Sequence, residues 1–106
     1  MAKKKAAQPR PKQSRLDLEK LFPDYPEEWW DGVLLFDDMD EAFVGLATQF
    51  SKEPVAVYER DACLRCLVKS GMTEDEALEW FEYNTTGAWV GERTPMVIVF
   101  KDKFKR

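Results

Sequence analysis

The chain has 106 residues, of which 44% are apolar and 34% are charged. This length suits one compact domain and excludes two. The sequence contains no histidine, which removes the commonest general base at neutral pH, catalytic Ser-His and Cys-His pairs, and zinc sites that use imidazole. We therefore predict a protein with neither enzymatic activity nor a cofactor.

Two features predict a protein of the cytoplasm that makes no contact with a membrane. The longest run without a charged side chain, residues 42–51, spans ten positions, whereas a membrane-spanning helix needs about 20 predominantly apolar residues. The basic residues 1–5 are followed by the sequence AAQPRPK, where a secretory signal would have its apolar core.

The formal net charge of −4 conceals a segregation of charge along the chain. Residues 16–100 carry 19 acidic and six basic side chains, a net −13, and residues 101–106 sum to +3. Residues 1–15 hold no acid and six bases, which are Lys3, Lys4, Lys5, Arg10, Lys12 and Arg15. An acidic body with basic ends predicts a basic partner, basic segments that fold back on the body, or acidity that serves solubility alone.

Residues 1–14 have no large apolar side chain apart from Met1, so they cannot offset the entropy of ordering and are predicted to be a disordered tail. The basic side chains of this tail have no aromatic side chains between them. This indicates contact with nucleic-acid phosphates rather than recognition of nucleotide bases. Non-specific binding of nucleic acid and a purely solubilising role are both open. Residues 15–106 are predicted to form a single domain.

The elements of this domain can be predicted in chain order. Residues 15–22 have the spacing of a short helix capped by Ser14, and the prolines of residues 23–28 favour a turn or extended chain. Residues 32–36 (GVLLF) are typical of an interior strand. Residues 42–58 predict a hairpin, because Gly45 and the polar residues 51–53 interrupt two β-prone runs.

Two helices and a last strand follow. Residues 62–70 are predicted to be a helix with Asp61 as its cap, and Thr73 and Glu76 have the spacing of a capping box that begins a helix over residues 74–84. One face of this second helix is predicted to be core; its members are Trp80, Ala77, Phe81 and Leu78. Residues 95–100 (PMVIVF) predict a central strand. The fold class is thus α+β, with a small three- to four-stranded, mostly antiparallel sheet and a helical pair on one face.

The opposite face of the second helix carries Asp75, Glu79 and Glu82. Like charges at these spacings destabilise a helix by a few tenths of a kcal/mol per pair. A solvated face with acids favourably placed at a helix start is one interpretation. The other is a surface that binds a basic host or phage protein.

Cys63 and Cys66 form a CxxC motif at a predicted helix start, where the helix dipole can activate a thiol. With only two cysteines, a zinc site with four thiolates would need a dimer. Both thiols also belong to the apolar arc of the helix, so packing is the favoured interpretation and no metal site is predicted.

Two further segments carry polar side chains at unusual positions. Residues 37–41 (DDMDE) are acidic, but Ala42 stands where a calcium loop needs its glycine, so a charged turn is predicted. Residues 82–95 predict a helix end with Gly87 in the left-handed conformation and a loop in which Trp89 packs back. Polar side chains at Asn84 and Glu92 could hydrogen-bond this loop or, with Trp89, line a pocket.

Residues 82–95 (EYNTTGAWVGERTP), with residues 72–77 (MTEDEA), 41–45 (EAFVG) and 54–58 (PVAVY), resemble a group of small uncharacterised proteins of tailed phages and prophages. The resemblance covers about residues 32–100. It implies a phage-type setting in the host cytoplasm and a shared α+β fold, and it carries no catalytic residue. With the charge pattern, it favours a small acidic protein that binds host or phage machinery; a nucleic-acid-associated protein that uses residues 1–15 is the alternative.

Overall fold

A computed structural model describes residues 14–86 and 90–102 of the chain. The predictions for residues 1–13, for Gly87 and Trp89 and for residues 103–106 lie outside these ranges. The α+β class is confirmed, with short helices, a three-stranded sheet and a pair of longer helices. Within the described ranges, no helix has the length and apolar character needed to cross a bilayer.

The sheet is built on the predicted hairpin, which is confirmed. Strands β1 (Phe43–Gln49) and β2 (Lys52–Glu59) pair antiparallel, and Gln49 stands opposite Lys52 across the turn. Ser51 closes this turn with a φ of 66°. Strand β3 (Met96–Ile98) adds to β2 in parallel, so the sheet is mixed and its order is β1-β2-β3.

The prediction of a central strand over residues 95–100 is wrong. The strand is three residues long and lies at the edge, while β2 is the central strand. Val97 packs against the core, but Val99 is exposed. A continuous apolar run indicates that a strand has neighbours on both faces; which strand stands in the middle depends on pairing between distant segments.

Two short α-helices and a 3₁₀ helix (Asp40–Ala42) precede the sheet. Helix α1 (Leu18–Leu21) is capped by Asp17, whose Oδ1 accepts from Lys20 N at 3.4 Å. Ser14 is therefore not the cap that the sequence predicts, and its Oγ donates to Asp40 Oδ1 at 2.6 Å. Helix α2 (Glu27–Trp30) occupies positions next to the prolines where a turn was expected. A proline before the first helical turn needs no amide donor there, so Pro26 starts this helix rather than preventing it.

Residues 32–36 are not a strand in the described structure, which corrects the sequence-based prediction. Gly32 has a φ of +84°, and Val33 N donates to Trp30 O at 3.3 Å in a turn. Phe36 N donates to Tyr58 Oη at 3.0 Å, so a side chain takes the place of a neighbouring strand. Val33 and Phe36 still pack against the buried cluster, which explains why the segment is apolar.

The two longer helices are α3 (Arg60–Lys69) and α4 (Glu74–Phe81). The capping box of α4 is confirmed, because Thr73 Oγ1 accepts from Glu76 N at 3.1 Å and Glu76 Oε1 accepts from Thr73 N at 3.0 Å. Asp61 is not a cap: β2 leads directly into α3, so Glu59 holds the cap position and Asp61 lies in the first turn. Regular helix α4 ends at Phe81, and Glu82–Thr86 continues as one wider π turn.

The core lies between the sheet and the helical pair. Ala77 and Phe81 of α4 are buried as predicted, and Trp80 packs against the cluster while half-buried. Leu78 is 42% exposed, so its predicted place in the core is wrong. Leu78 lies about 100° from Ala77 around the helix, at the margin of the apolar arc. The buried cluster consists of Met39, Ala42, Ala56, Tyr58, Ala62, Cys63, Leu67, Met72, Ala77 and Phe81.

The side chain of Arg93 joins its own segment to two others, at residues 31 and 53–54. Its Nε donates to Pro54 O at 3.0 Å and its Nη1 donates to Asp31 O at 2.8 Å. Nη1 also lies 3.3 Å from Glu53 Oε1, and the side chain is only 15% exposed. A Cβ on Gly32 would stand 2.9 Å from Nη1 and would displace the guanidinium, and the φ of +84° also favours glycine at this position.

Candidate partner-binding surface

The acids of the predicted ridge all lie on the exposed side of α4 and its π turn. Asp75 and Glu79 stand one helical turn apart and are exposed. Neither belongs to any of the four ion pairs found in the described part of the chain. Their repulsion along the helix is therefore not relieved by a base from within those residues.

Glu82 differs from the other two acids because Arg60 neutralises it. Its Oε2 lies 2.7 Å from Arg60 Nη2, and the Glu82 side chain is still about half exposed. The Arg60 guanidinium also lies 5.9 Å from the centre of the Phe81 ring. Glu82 thus fixes the end of α4 against the start of α3, and the uncompensated charge of the ridge is that of Asp75 and Glu79.

Two apolar side chains flank these acids. Leu78 is 42% exposed and lies between the acidic positions along the helix, and Tyr83 is 78% exposed. We call the set Asp75, Leu78, Glu79 and Tyr83 the α4 surface. Sequence reasoning missed Leu78 because it was assigned to the core; its position at the edge of the apolar arc was the signal that could have found it.

The three residues of the predicted pocket are not shown to come together. Asn84 Nδ2 donates to Trp80 O at 3.1 Å, so this amide satisfies a carbonyl at the end of α4. Glu92 is exposed in a turn held by Thr94 Oγ1, which donates to Gly91 O at 2.6 Å and accepts from Val90 N at 2.9 Å. Trp89 lies outside the described residues. The observed role of Asn84 is therefore structural.

The thiols of the CxxC motif are both free, and burial works against their reactivity. Cys63 is fully buried in the core, and this burial raises its pKa to about 12. Cys66 is half-buried, and burial also raises its pKa. A thiol acts as a nucleophile or metal ligand only as a thiolate, so the geometry favours the packing interpretation.

The acidic turn of residues 37–41 serves local structure. Asp40 accepts from Ser14 Oγ at 2.6 Å and from Arg15 N at 2.8 Å, and Lys69 Nζ lies 3.1 Å from Glu41 Oε1. No cluster of three or more acidic or cysteine side chains among the described residues is arranged to hold a metal ion. These acids line a cleft of about 330 Å³, whose walls are Arg15, Asp38, Asp40, Glu41, Cys66, Lys69 and Ser70.

Of the six bases predicted to contact nucleic acid, the structure describes Arg15. Arg15 lines this cleft, and its backbone N donates to Asp40 Oδ2 at 2.8 Å. Lys3, Lys4, Lys5, Arg10 and Lys12 lie outside the described residues. Whether these bases contact a nucleic acid stays a prediction from the sequence.

Comparison with known proteins returned no match for this chain among family models, curated proteins or solved structures. The resemblance to phage proteins therefore stays a prediction from the sequence. The chemistry of the described surfaces is what can support a function.

Proposed function

We propose that this protein is a non-enzymatic, phage-type interaction protein of the host cytoplasm. It binds a basic surface of a host or phage protein, and the contact is made by the α4 surface. Asp75 and Glu79 attract the partner, and Leu78 and Tyr83 supply apolar contact area.

The observation that carries the proposal is the exposed Leu78 beside two uncompensated acids. Protein interfaces combine an apolar centre that excludes water with charged groups that steer the encounter, and tyrosine is enriched in them. A purely solvated acidic face does not require an exposed leucine between its acids. The arrangement therefore supports a docking surface over a face that only promotes solubility.

The helix energetics support a basic partner in particular. Asp75 and Glu79 repel each other across one helical turn at a cost of a few tenths of a kcal/mol. A bound lysine or arginine would remove this cost and add attraction in a partly desolvated contact. The net −13 of residues 16–100 extends the same attraction to longer range.

The chemistry of the chain supports binding rather than catalysis. The sequence has no histidine, and burial raises the pKa of both thiols. Histidine is therefore not available as a base that titrates near neutral pH, and neither thiol is an activated nucleophile.

A matched pair of charge-reversal variants tests the proposal. Glu82 is left unchanged because it pairs with Arg60, so the surface variant is Asp75→Lys with Glu79→Lys. The control is Glu19→Lys with Asp24→Lys, which reverses two exposed acids elsewhere and changes the net charge equally. Each tagged protein is used for affinity capture from host and infected cells, followed by mass spectrometry.

We expect the wild type and the control to capture a basic protein. The surface variant should capture at least about tenfold less of it, because contacts between opposite charges become repulsive. Equal capture by all three proteins would contradict the proposal. Equal circular dichroism spectra establish that the variants are folded. If removal of residues 1–13 abolishes nucleic-acid binding that the full chain shows, the alternative function through the basic tail is favoured instead.

A further inference from the structure

Two aromatic rings meet at the surface beside the first two helices. The Tyr25 ring lies 4.9 Å from the Trp29 ring, centre to centre, with an angle of 31° between the two planes. Tyr25 is 49% exposed, and Trp29, in α2, is partly buried. Neither ring belongs to the buried cluster of the core. We call this pair the Tyr25–Trp29 surface.

A series of ring contacts holds this pair on the body of the protein. The Tyr25 ring meets the Phe22 ring edge-on, with 6.4 Å between the centres, and Phe22 meets Phe43 of β1 at the same distance. Phe43 in turn contacts the fully buried Tyr58, with 5.6 Å between the ring centres. The Tyr25 ring is thus positioned from the core outwards, so a ligand that binds it orders few side chains.

The chain around these rings is acidic. Residues 17–31 carry six acidic side chains and one basic side chain, a net −5. All six acids are exposed, and none belongs to any of the four ion pairs in the described part of the chain. Asp24 precedes Tyr25 and Glu28 precedes Trp29, so a carboxylate adjoins each ring in the chain. An exposed aromatic pair in such surroundings attracts a cation.

Charge complementarity favours one kind of ligand. Aromatic surfaces also stack nucleotide bases, but the net −5 of residues 17–31 opposes the phosphates that a nucleic acid brings with them. A second copy of the protein is disfavoured for the same reason, because its body is also acidic. A cationic side chain of another protein fits both the rings and the charge. Arginine fits better than lysine, because its planar guanidinium stacks on an aromatic face while its fork of donors bonds a carboxylate.

We propose that the Tyr25–Trp29 surface binds an arginine side chain of a protein partner. The guanidinium lies over the Tyr25 ring, and the carboxylates beside the rings accept its hydrogen bonds. This contact goes beyond the function proposed above and does not depend on it, because the α4 surface shares none of these residues. A partner bound at the α4 surface is therefore still captured when Asp24 is replaced by lysine.

NMR titration of the full chain with short peptides tests this proposal. The probes are tri-arginine and tri-lysine, each acetylated and amidated so that their charges are equal. We expect tri-arginine to shift the Trp29 indole N–H and Tyr25 ring signals. It should bind at least about twofold more tightly than tri-lysine, because only the guanidinium combines stacking with a planar fork.

Three outcomes of this titration would overturn the proposal. Equal affinities for the two peptides would show attraction by charge alone. Shifts confined to residues 75–83 would show that the cation binds at the α4 surface, which would leave the function proposed above intact. If a single-stranded oligonucleotide shifts the Tyr25 and Trp29 signals and tri-arginine does not, the rings stack nucleotide bases instead.

Substitutions at Tyr25 give a second readout with a matched control. Tyr25→Leu keeps an apolar side chain but removes the ring, and it should weaken tri-arginine binding about threefold. Tyr25→Phe keeps the ring and should retain the wild-type affinity. The control, Phe50→Leu, removes a ring that is 93% exposed at the turn between β1 and β2, and it should also retain this affinity. Equal affinities of Tyr25→Leu and Phe50→Leu would refute the contact.

The two charge-reversal variants described above separate the two surfaces. Both variants have the same net charge, but only Glu19→Lys with Asp24→Lys places a lysine next to Tyr25. This variant should weaken tri-arginine binding at least about twofold more than Asp75→Lys with Glu79→Lys does. The opposite order would show that the peptide binds at the α4 surface and would contradict the arginine site at Tyr25.

Discussion

Individual side chains in this protein are perturbed by burial more than by neighbouring charge. Burial is the largest cause of the raised pKa of Cys63. The nearby Cys66 thiol and the Glu59 carboxylate raise it further. Burial also raises the pKa of Tyr58 to about 12, although its hydrogen bond with Phe36 N acts in the opposite direction. In both cases burial favours the neutral form of the side chain. We therefore assign Cys63 and Tyr58 a role in packing the core rather than in a reaction.

These shifts predict a loss of stability at alkaline pH. A Cys63 thiol with an ordinary pKa of 9.0 in the unfolded chain and about 12 in the folded protein contributes fully below pH 9. As pH rises from 9 towards 12, the unfolded state ionises first, and stability falls by up to about 1.4 kcal/mol per pH unit. Urea unfolding from pH 7 to 10.5 measures this loss.

Cys63→Ala is the control for this prediction. It removes the ionising group, so its stability should depend less steeply on pH between 9 and 10 than that of the wild type. Between pH 7 and 8 both proteins should be insensitive to pH. Cys66, whose pKa burial also raises, accounts for loss that remains above pH 9, and Tyr58 adds to it above pH 10. The same slope in both proteins above pH 9 would show that Cys63 is not the group responsible.

At the scale of elements, local signals were reliable where the partner of a residue is close in sequence. Thr73 and Glu76 are three residues apart, and their capping box forms as predicted. The hairpin is likewise fixed by a two-residue connection between β1 and β2. Residues 32–36 show the opposite case, because their apolar pattern is the same whether they pair with a strand or, as here, bond the Tyr58 hydroxyl group.

Arg93 is the clearest long-range link between elements, and its removal should be costly. Arg93→Ala loses two charge-assisted hydrogen bonds, to Pro54 O and Asp31 O. We expect the free energy of unfolding to fall by about 2–3 kcal/mol. Nη2 of Arg93 has no hydrogen-bond partner among the described residues, so its removal adds nothing to this loss of unfolding free energy.

Lys69→Ala provides the comparison for Arg93 in the same urea experiment. Lys69 and Glu41 form an ion pair in which both side chains are mostly exposed, and such pairs contribute less than about 1 kcal/mol. Arg93→Lys should recover only part of the stability, since one ammonium group cannot reproduce the planar guanidinium fork. Equal losses for Arg93→Ala and Lys69→Ala would contradict the structural role of Arg93.

The whole molecule is governed by its charge distribution. The 19 acids and six bases of residues 16–100 repel one another on balance, and this repulsion opposes the compact state. We predict that added sodium chloride stabilises the protein by at least a few tenths of a kcal/mol between about 10 and 150 mM, as the screening length falls from about 30 Å to about 8 Å. Thermal unfolding across this range is the measurement.

The two charge-reversal variants separate general from local repulsion. Each double substitution moves the formal net charge from −4 to zero, because replacing an acid by lysine adds two charges at each site. Both variants should respond less to salt than the wild type. The Asp75 and Glu79 variant should respond least, since the repulsion between these neighbours in α4 is removed as well. A wild type destabilised by salt would show that ion pairs, rather than repulsion, dominate.

The sequence by itself determined the α+β class, the hairpin, the start of α4 and the segregation of charge, because these depend on local periodicity, on caps and turns, or on composition. The acids at positions 75, 79 and 82 could be placed on one helix face for the same reason. Only the tertiary structure decided that β2 is central, that Leu78 is exposed beside the acids, that Glu82 is neutralised by Arg60 and that Arg93 joins three segments. Each of these depends on which distant residues come into contact, and no pattern within a single segment contains that information.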